Sequence, residues 1–334
     1  MRREARAALV LCVVIAVGGC AGIQSALAPE SEGARRVATL SWVLFGGGSA
    51  ILALMLALMW LALRGSARMR GVLSRHATVI GGGLVFPIVT LAALLGYGFV
   101  LMAAADAEKS AFVSGGEPLH VSVIGERWWW RVVYEDAGEM PIASANEIRV
   151  PVGRPVRFSL TTEDVIHSFW VPRLSGKIDM IPGRANTLTI SAEKAGVYRG
   201  QCAEYCGGAH ALMSFYVVAL EPSEFEAWIS RIREPAQAPQ SPKAERGGEL
   251  FLTNGCGACH TIRGTDADGS LGPDLTHVGS RLSLAAAALP TSKAALARWI
   301  AHNQTIKPEN LMPPFRNLPA EELDLIATYL EGLK

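Results

Sequence analysis

Hydrophobic positions along the chain follow three successive patterns. Two long apolar runs without charged residues, 37–63 and 77–105, come first. Short segments in which apolar and polar residues alternate follow from about residue 117 to 220, bounded by Gly, Pro and Asn. Beyond residue 243 the pattern is helical. The order predicts a multi-domain chain: a two-helix transmembrane hairpin, a β-sandwich or barrel, and a small all-α domain.

The two apolar runs are expected to cross a membrane. Each exceeds the roughly 20 residues that a bilayer-spanning helix needs, and the core of a soluble protein rarely supplies two such runs. The loop between them, residues 64–76, contains four arginines: Arg64, Arg68, Arg70 and Arg75. Because basic loops stay in the cytoplasm, we place two helices within residues 38–105 and everything after residue 106 on the outer side.

The first residues resemble an export signal. MRREAR precedes a short apolar run and the stretch VGGC, which predicts a signal peptide at residues 1–19 and an exported segment at 20–37. VGGC also resembles a bacterial lipobox, in which Cys20 would be lipidated. The alternative is a cleavable signal with an incidental cysteine. We therefore expect a multi-pass protein of the bacterial inner (plasma) membrane, with its later domains on the periplasmic side.

The exported part divides into two further domains. The β-rich segment covers residues 106–232 and ends in a short amphipathic helix near residues 221–234. A proline-rich stretch at 233–243 is predicted to be a semi-rigid linker, and a helical domain follows at 244–334. With 18% charged residues and a net charge of +1, the composition gives no reason to expect a nucleic acid partner.

A first cluster of metal-ligand residues lies in QCAEYCGGAHALM, at 201–213: Cys202, Cys206, His210 and Met213. Thiolate, imidazole and thioether suit copper in an electron-transfer site. EDVIHSFWVP supplies a second histidine, His167, at the end of a β run. Two thiolates from one loop can bridge two copper ions. The alternatives are a disulfide and a zinc site, for which methionine is a poor ligand. Met140 and Met180 are interpreted as packing residues.

A second cluster is CGACH, which holds two thiols and an imidazole: Cys256, Cys259 and His260. Cys-x-x-Cys-His is the attachment signature of c-type haem, whose iron the histidine ligates. Met312 in NLMPPF is the only methionine after the first cluster and is the candidate sixth ligand. A His/Met pair raises the haem potential, as in electron carriers. The alternatives are a redox dithiol and a sixth ligand from His277 or His302.

Four stretches, HSFWVP, KIDMIPGR, YRGQCAEYCGGAHALM and GERWWWRVVY, resemble subunit II of haem–copper cytochrome c oxidases. The order of two membrane helices and a β domain is also similar, so that the resemblance covers about residues 38–230. It implies a cupredoxin fold that holds a binuclear copper centre, CuA. Carried over by position, its ligands are His167, Cys202, Glu204 through its carbonyl oxygen, Cys206, His210 and Met213.

The same resemblance implies roles for residues around the centre. The carboxylate of Glu204 would reach a magnesium ion shared with subunit I, and Asp179 and Arg184 would face subunit I near its haem propionates. Trp128 matches the tryptophan through which electrons enter. Its alternative role is that of a membrane-interface or strand-packing aromatic. Ile80 stands where many members carry a glutamate that feeds a proton channel, which argues against proton uptake through this subunit.

The C-terminal segment, 244–334, resembles a class I cytochrome c. LGPDL, at 271–275, resembles the loop that braces the iron-binding histidine in that family. The resemblance implies one covalently bound haem c. Cys256 and Cys259 would hold it, and His260 and Met312 would be its axial ligands.

Together these features predict an electron relay in a terminal respiratory oxidase. A cytochrome c or another respiratory donor would reduce haem c, which would reduce CuA. The haems of subunit I would then receive the electron and reduce oxygen to water. The oxygen-reducing site would lie on that partner subunit, and further oxidase subunits are expected in the complex.

Two other functions remain open at this point. A CuA-bearing nitric oxide reductase subunit would use the same relay with a different final acceptor. A membrane-anchored copper-delivery protein also carries Cys-x3-Cys and a histidine. It would have a thioredoxin-like fold, and it needs neither the His-x2-Met after the second cysteine nor a haem.

Overall fold

The computed structural model describes residues 22–114, 117–135 and 140–334. The signal peptide at 1–19 and Cys20 lie outside the described residues. The described chain forms two units: one runs from Arg35 to Gly116, and the other joins the segment before Arg35 to Glu117–Lys334.

The first unit consists of helices, of which the two long ones are mostly apolar. The elements are α1 (Glu32–Arg64), α2 (Ala67–Leu73), α3 (His76–Ile80), a π-helical turn (Gly81–Val85) and α4 (Phe86–Ser114). Two spans, Glu32–Arg64 and His76–Ala104, are long and apolar enough to cross a membrane, with mean hydropathies of 2.0 and 2.3. The predicted transmembrane pair is therefore present as two candidate spans.

Two details of this unit differ from the sequence prediction. The loop predicted at 64–76 contains the short helix α2, which Ser66 caps by accepting a hydrogen bond from the Met69 amide at 3.3 Å. The second span is not a uniform α-helix, because a π-helical turn precedes Pro87. Proline has no amide hydrogen and its ring crowds the preceding turn. A wider turn relieves that conflict and keeps the span continuous.

Ten strands form the β domain as two five-stranded sheets. One sheet has the order β3-β2-β1-β5-β8 and the other β4-β10-β9-β6-β7. The strands are β1 (Leu119–Glu126), β2 (Trp129–Tyr134), β3 (Ile142–Ala145), β4 (Glu147–Pro151), β5 (Val156–Thr162), β6 (His167–Trp170), β7 (Ile178–Met180), β8 (Asn186–Ile190), β9 (Gly196–Cys202) and β10 (Ser214–Leu220). The predicted β-sandwich is confirmed.

Aromatic side chains fill the space between the two sheets. Trp130 and Phe158 point inward from one sheet and contact Phe169 and Phe215 of the other, with ring centroids 4.7 to 5.9 Å apart within this cluster. Alternate residues of β1 face the same core. Burial of each side chain of this size contributes about 1.5–3 kcal/mol to the stability of the fold. The cluster therefore holds the two sheets firmly together. Met180 is buried as predicted, but Met140 is 78% exposed and is not a packing residue.

An N-terminal arm, residues 22–31, lies against the sandwich. The Arg199 amide donates to the Ile23 carbonyl at 2.9 Å, and the Glu30 amide donates to the Arg173 carbonyl at 2.8 Å. The Glu30 carboxylate also pairs with Arg173 at 2.8 Å and Lys194 at 2.9 Å. The sequence predicted only an exported segment here. The arm is part of the β domain.

Helices follow the sandwich, as predicted. Helix α5 (Pro222–Arg233) packs Phe225 and Trp228 against the β domain. Helices α6 (Pro242–Thr253), α7 (Lys293–Ile306) and α8 (Ala320–Gly332) build the C-terminal domain. Two hairpins of two-residue strands interrupt it: β11 (Thr261–Ile262) with β12 (Ala267–Asp268), and β13 (Ser283–Leu284) with β14 (Leu289–Pro290). The domain is thus helical but not purely α.

Candidate metal centres

The first centre lies at one end of the sandwich, in the loop between β9 and β10. These strands are antiparallel neighbours, and the Cys202 amide donates to the Met213 carbonyl at 2.9 Å. The two ends of the loop are therefore held side by side. Strand β6 pairs with β9, with Phe169 opposite Cys202, which places His167 beside the same loop.

The predicted donor atoms converge on the two cysteine sulfurs. The Sγ atoms of Cys202 and Cys206 are 3.7 Å apart, well beyond the roughly 2.05 Å of a disulfide, and both thiols are free. Around Cys202 Sγ lie the Glu204 carbonyl oxygen at 3.1 Å and His167 Nδ1 at 3.8 Å. The other two donors, His210 and Met213, therefore have to lie near the second sulfur.

They do so within a similar distance. His210 Nδ1 lies 3.5 Å from Cys206 Sγ, and Met213 Sδ lies 3.9 Å from it. Four of the six residues are almost inaccessible to solvent: His167, Cys202, Cys206 and Met213. A dry pocket of two thiols, two imidazoles, a thioether and a carbonyl fits soft or borderline ions such as copper.

Neighbouring sulfurs change the acidity of the two thiols. The hydrogen bond from Cys206 to Cys202 is the largest cause that lowers the pKa of Cys202, to about 3. The same contact raises the pKa of Cys206. Cys202 is therefore the more readily ionised of the two thiols, and the thiolate is the form of cysteine that binds a metal.

The ring of His167 is held from the side opposite the sulfurs. Its Nε2 lies 2.9 Å from Oδ1 of Asp164, and a Cβ at Gly125 would come within 2.7 Å of the ring. Asp164 also accepts a hydrogen bond from the Arg127 amide at 2.8 Å. A carboxylate behind a ligand histidine fixes its orientation. Sequence reasoning missed Asp164, although an acid three residues before a ligand histidine is a usable signal.

Removing that carboxylate should weaken copper binding. In an Asp164→Ala variant the imidazole loses its support, and we expect copper affinity to fall by about 10–100-fold, the usual effect of losing an outer partner. Competition with a copper chelator measures it. Glu163→Ala, which removes the exposed acid next along the chain, is the matched control and should bind as the wild type does. Equal affinities of the two variants would contradict the assigned role.

Trp128 lies against the copper-binding loop rather than at a membrane interface. Its side chain is 2% exposed, and its indole Nε1 donates to the Cys206 carbonyl at 3.1 Å. Gly207 has a φ of +120°, and a Cβ there would meet the indole at 2.9 Å. Glycine is therefore required for this close approach. The ring is thus one hydrogen bond from a candidate ligand residue.

Two of the three residues predicted to face subunit I come together. Lys177 Nζ lies 3.3 Å from Asp179 Oδ1 and 3.5 Å from Glu204 Oε2. A hydrogen bond from Ser168, with help from Lys177, lowers the pKa of Asp179. Arg184 is exposed on the turn after β7. The carboxylates of Asp179 and Glu204 are both half-exposed. Because the carbonyl of Glu204 lies near the Cys202 sulfur, Glu204 connects the candidate metal site to the surface.

The second centre lies at the start of the C-terminal domain. Cys256 opens a single 3₁₀ turn and Cys259 follows it. The loop predicted to brace His260 does so, because His260 Nδ1 donates to the Pro273 carbonyl at 2.8 Å. Burial lowers the pKa of His260, which favours a neutral imidazole with Nε2 available to an iron. A Cβ at Gly272 would lie 2.5 Å from this ring.

The surroundings also fit a porphyrin. Leu271 and Leu311 are 76% and 85% exposed, and they lie next to the brace and to Met312. An apolar macrocycle between His260 and Met312 would cover such side chains. His277 cannot be the sixth ligand in this arrangement, because its two ring nitrogens lie 3.1 Å from the carbonyls of Lys334 and Glu234.

Comparison with known proteins finds a family match for each of the two segments that contain these candidate sites. Residues 140–220 match the family described as cytochrome c oxidase subunit II, periplasmic domain, and residues 244–334 match the cytochrome c family. The cytochrome c oxidase subunit 2 of Alkalihalophilus pseudofirmus is 36% identical over 220 residues, which cover 66% of this chain and 63% of that protein.

Further similar proteins carry the same description. The cytochrome c oxidase subunit 2 of Bacillus subtilis is 32% identical over 228 residues, 65% of this chain and 63% of that protein. The aligned part thus spans a little under two thirds of these relatives' length. The crystallised periplasmic domain of cytochrome oxidase subunit II from Bradyrhizobium japonicum is 35% identical and covers 34% of this chain and 93% of its own, with a TM-score of 0.33.

Proposed function

Since the chain belongs to the cytochrome c oxidase subunit II family and carries a cytochrome c domain after it, we propose that it is the electron-transfer subunit of a terminal respiratory oxidase. Electrons enter at haem c, pass to the binuclear CuA centre and continue to the haems of subunit I, where oxygen is reduced to water. The observation that carries the proposal is the convergence of four further donors on two free, unbridged sulfurs.

The chain's own residues determine what the copper site can do. His167, Cys202, Cys206, His210, Met213 and the carbonyl of Glu204 would hold two copper ions, which supply reversible one-electron chemistry when bound. The β9–β10 pairing and the Asp164 contact hold the donors in place. Burial excludes water. Fixed, dry ligands rearrange little when an electron arrives, and the barrier to transfer is correspondingly low.

The C-terminal domain would hold haem c in a similar way. Cys256 and Cys259 would form the two thioether links, with His260 and Met312 as axial ligands. The Met312 carbonyl accepts a hydrogen bond from Gln304 Nε2 at 3.1 Å, and its amide donates to Asn310 at 3.0 Å. These bonds position the methionine loop, which supports its role as a ligand.

The polar surface beside the copper site would face subunit I. Glu204 and Asp179 present half-exposed carboxylates around Lys177, and Glu204 would bind a magnesium ion shared with that subunit. Arg184 would contribute to the same interface. With the helical unit in the inner membrane, the copper and haem domains would lie in the periplasm and receive electrons from a respiratory cytochrome c or another donor.

Analysis of metals and of oxygen consumption tests the proposal. This chain, once separated from the other subunits, should hold about two copper ions and about one haem iron, with a near-infrared mixed-valence band from the copper pair. The intact complex should contain a large multi-span haem protein with metals of its own and should consume oxygen. Consumption of nitric oxide instead would favour the reductase, and a single copper ion without haem would favour a delivery protein. The two-sheet sandwich already argues against the latter.

Exchange of the axial thioether should change the potential of the copper site without emptying it. In a Met213→Leu variant we expect the copper content to remain and the potential and the near-infrared band to shift, because a weak ligand is lost. Redox titration measures the shift. Met180→Leu is the matched control, since Met180 is also fully buried in this domain. A shift of equal size in the control would show a packing effect rather than a ligand.

A further inference from the structure

The C-terminal domain contacts the β domain along a defined seam beside the copper-binding loop. The Leu282 amide donates to Glu147 Oε2 at 2.7 Å, and the Ser214 amide donates to the Ala286 carbonyl at 3.2 Å. Ser214 directly follows the candidate ligand Met213. We call this surface the interdomain seam: Trp128, Glu147 and Ser214 on one side, and Leu282, Ala285, Ala286 and Lys307 on the other.

Lys307 is the unusual residue of the seam. It is 2% exposed, although lysine is almost never fully buried. Its Nζ donates to the Trp128 carbonyl at 2.7 Å and to the Ala285 carbonyl at 2.9 Å. One amine therefore joins the two domains. Burial lowers the pKa of Lys307 to about 7. Burial of an amine is unfavourable unless the amine is hydrogen-bonded, so Lys307 needs acceptors in fixed positions.

The turn that supplies one of those partners is strained. Ala285, Ala286 and Ala287 have φ values of 54°, 59° and 62°, in the left-handed region that residues other than glycine avoid. The turn directs the Ala285 carbonyl to Lys307 and the Ala286 carbonyl to the Ser214 amide. Strain of this kind persists where surrounding contacts hold it, and it concentrates at functional sites. Beside the buried lysine, the left-handed turn is thus a second, independent indication that the seam holds its residues in specific positions.

The contacts of Lys307 lead directly to the copper-binding loop. Its partner Trp128 donates through the indole to the Cys206 carbonyl at 3.1 Å. Three residues from two domains therefore form one hydrogen-bonded chain that ends on a candidate copper ligand. Because Trp128 is covered on all sides, an external donor has no direct access to it.

We propose that Lys307 is a positioning residue that locks the cytochrome c domain onto the copper-binding loop in one orientation, with Trp128 held beneath it. Electron transfer between the two candidate sites would then take place within a fixed complex, and not through repeated encounters of a tethered domain. One electron leaves the haem iron and one reaches the copper pair. This inference rests on the electron relay proposed above.

Lys307→Met in the intact oxidase complex tests the lock, because methionine fills similar space without a donor. Rapid kinetics separate two steps: reduction of haem c by an external donor, and transfer from haem c to copper. We expect the second step to slow at least about tenfold, through lost orientation, while the first step and the spectra and potentials of both centres stay unchanged. Lys293→Met is the matched control, since Lys293 pairs with Asp324 at 2.7 Å on the surface of the same domain.

Two outcomes would overturn the proposal. One is a Lys307→Met variant that transfers electrons from haem to copper at the wild-type rate. The other comes from the wild-type complex and needs neither a variant nor electron transfer: reductive methylation should modify Lys293 readily and Lys307 slowly, and equal rates would show an open seam. If wild-type haem c fails to reduce copper at all, the relay itself is wrong, and the labelling result still decides whether the domains are locked.

Discussion

A Cys206→Ser variant will lose electron transfer into the copper centre while its haem remains reducible. Cys206 Sγ lies within 3.9 Å of three other donors: Cys202, His210 and Met213. Serine offers a hard oxygen where copper needs a soft, shared sulfur. We expect the near-infrared band to disappear, the copper content to fall below about two per chain and turnover to fall by more than about 100-fold, beyond the effect of losing an outer partner.

Two comparisons make this result specific. Haem c in the same variant should be reduced by the external donor at the wild-type rate, because Cys256 and Cys259 lie in the other domain. Tyr205→Phe changes the exposed neighbour in the same loop and should leave copper content and turnover unchanged. A Cys206→Ser protein that keeps both its copper and its band would refute the bridging-sulfur interpretation.

A Gly247→Ala variant will destabilise the cytochrome c domain although alanine is the better helix former. A Cβ at this position in α6 would lie 2.1 Å from the Leu325 carbonyl oxygen in α8 and 2.9 Å from the Tyr329 Cβ. The backbone of α8 cannot yield as a flexible side chain can. The two helices must therefore separate, which lowers the free energy of unfolding by about 1–3 kcal/mol or more. We expect unfolding of the domain, followed by haem absorbance, to occur at a lower denaturant concentration.

Gly248 provides the matched control for this experiment. It is the next residue of the same helix, and a Cβ there would lie 3.3 Å from the ring of Tyr329. That ring can move slightly, and alanine gains up to about 1 kcal/mol of helix propensity over glycine. Gly248→Ala should thus be neutral or stabilising. Similar midpoints for the two variants would mean that the helices are not in close contact at Gly247.

The convergence of the candidate copper donors could be predicted because most of them lie in one short loop. Cys202 ends one strand and Met213 directly precedes the adjacent strand, so that the two lie together, and His167 lies in a segment with its own strand pattern. The candidate haem ligands were predicted in the same way, Cys256, Cys259 and His260 from CGACH and Met312 from NLMPPF. Local patterns of this kind can be recognised without any knowledge of the tertiary structure.

Contacts between distant parts of the chain left no comparable signal. Lys307 meets Trp128 across 179 positions in the sequence, and a buried lysine looks like any surface lysine until the fold is known. The left-handed φ values at Ala285–Ala287 were equally invisible, because alanine favours helix and not turns. Asp164 was not predicted either, although its place three residues before His167 is a usable signal.

The N-terminal arm has a topological consequence. Glu30 is bound by Arg173 and Lys194, and both apolar helices lie between these partners in the sequence. Residues that pair in one folded unit must share one aqueous compartment, so the intervening chain crosses the bilayer an even number of times. If the chain crossed the bilayer only once, Glu30 would lie on the opposite side of the membrane from both Arg173 and Lys194. The ion pairs therefore require any crossings between them to be even in number, independently of hydropathy and of arginine placement.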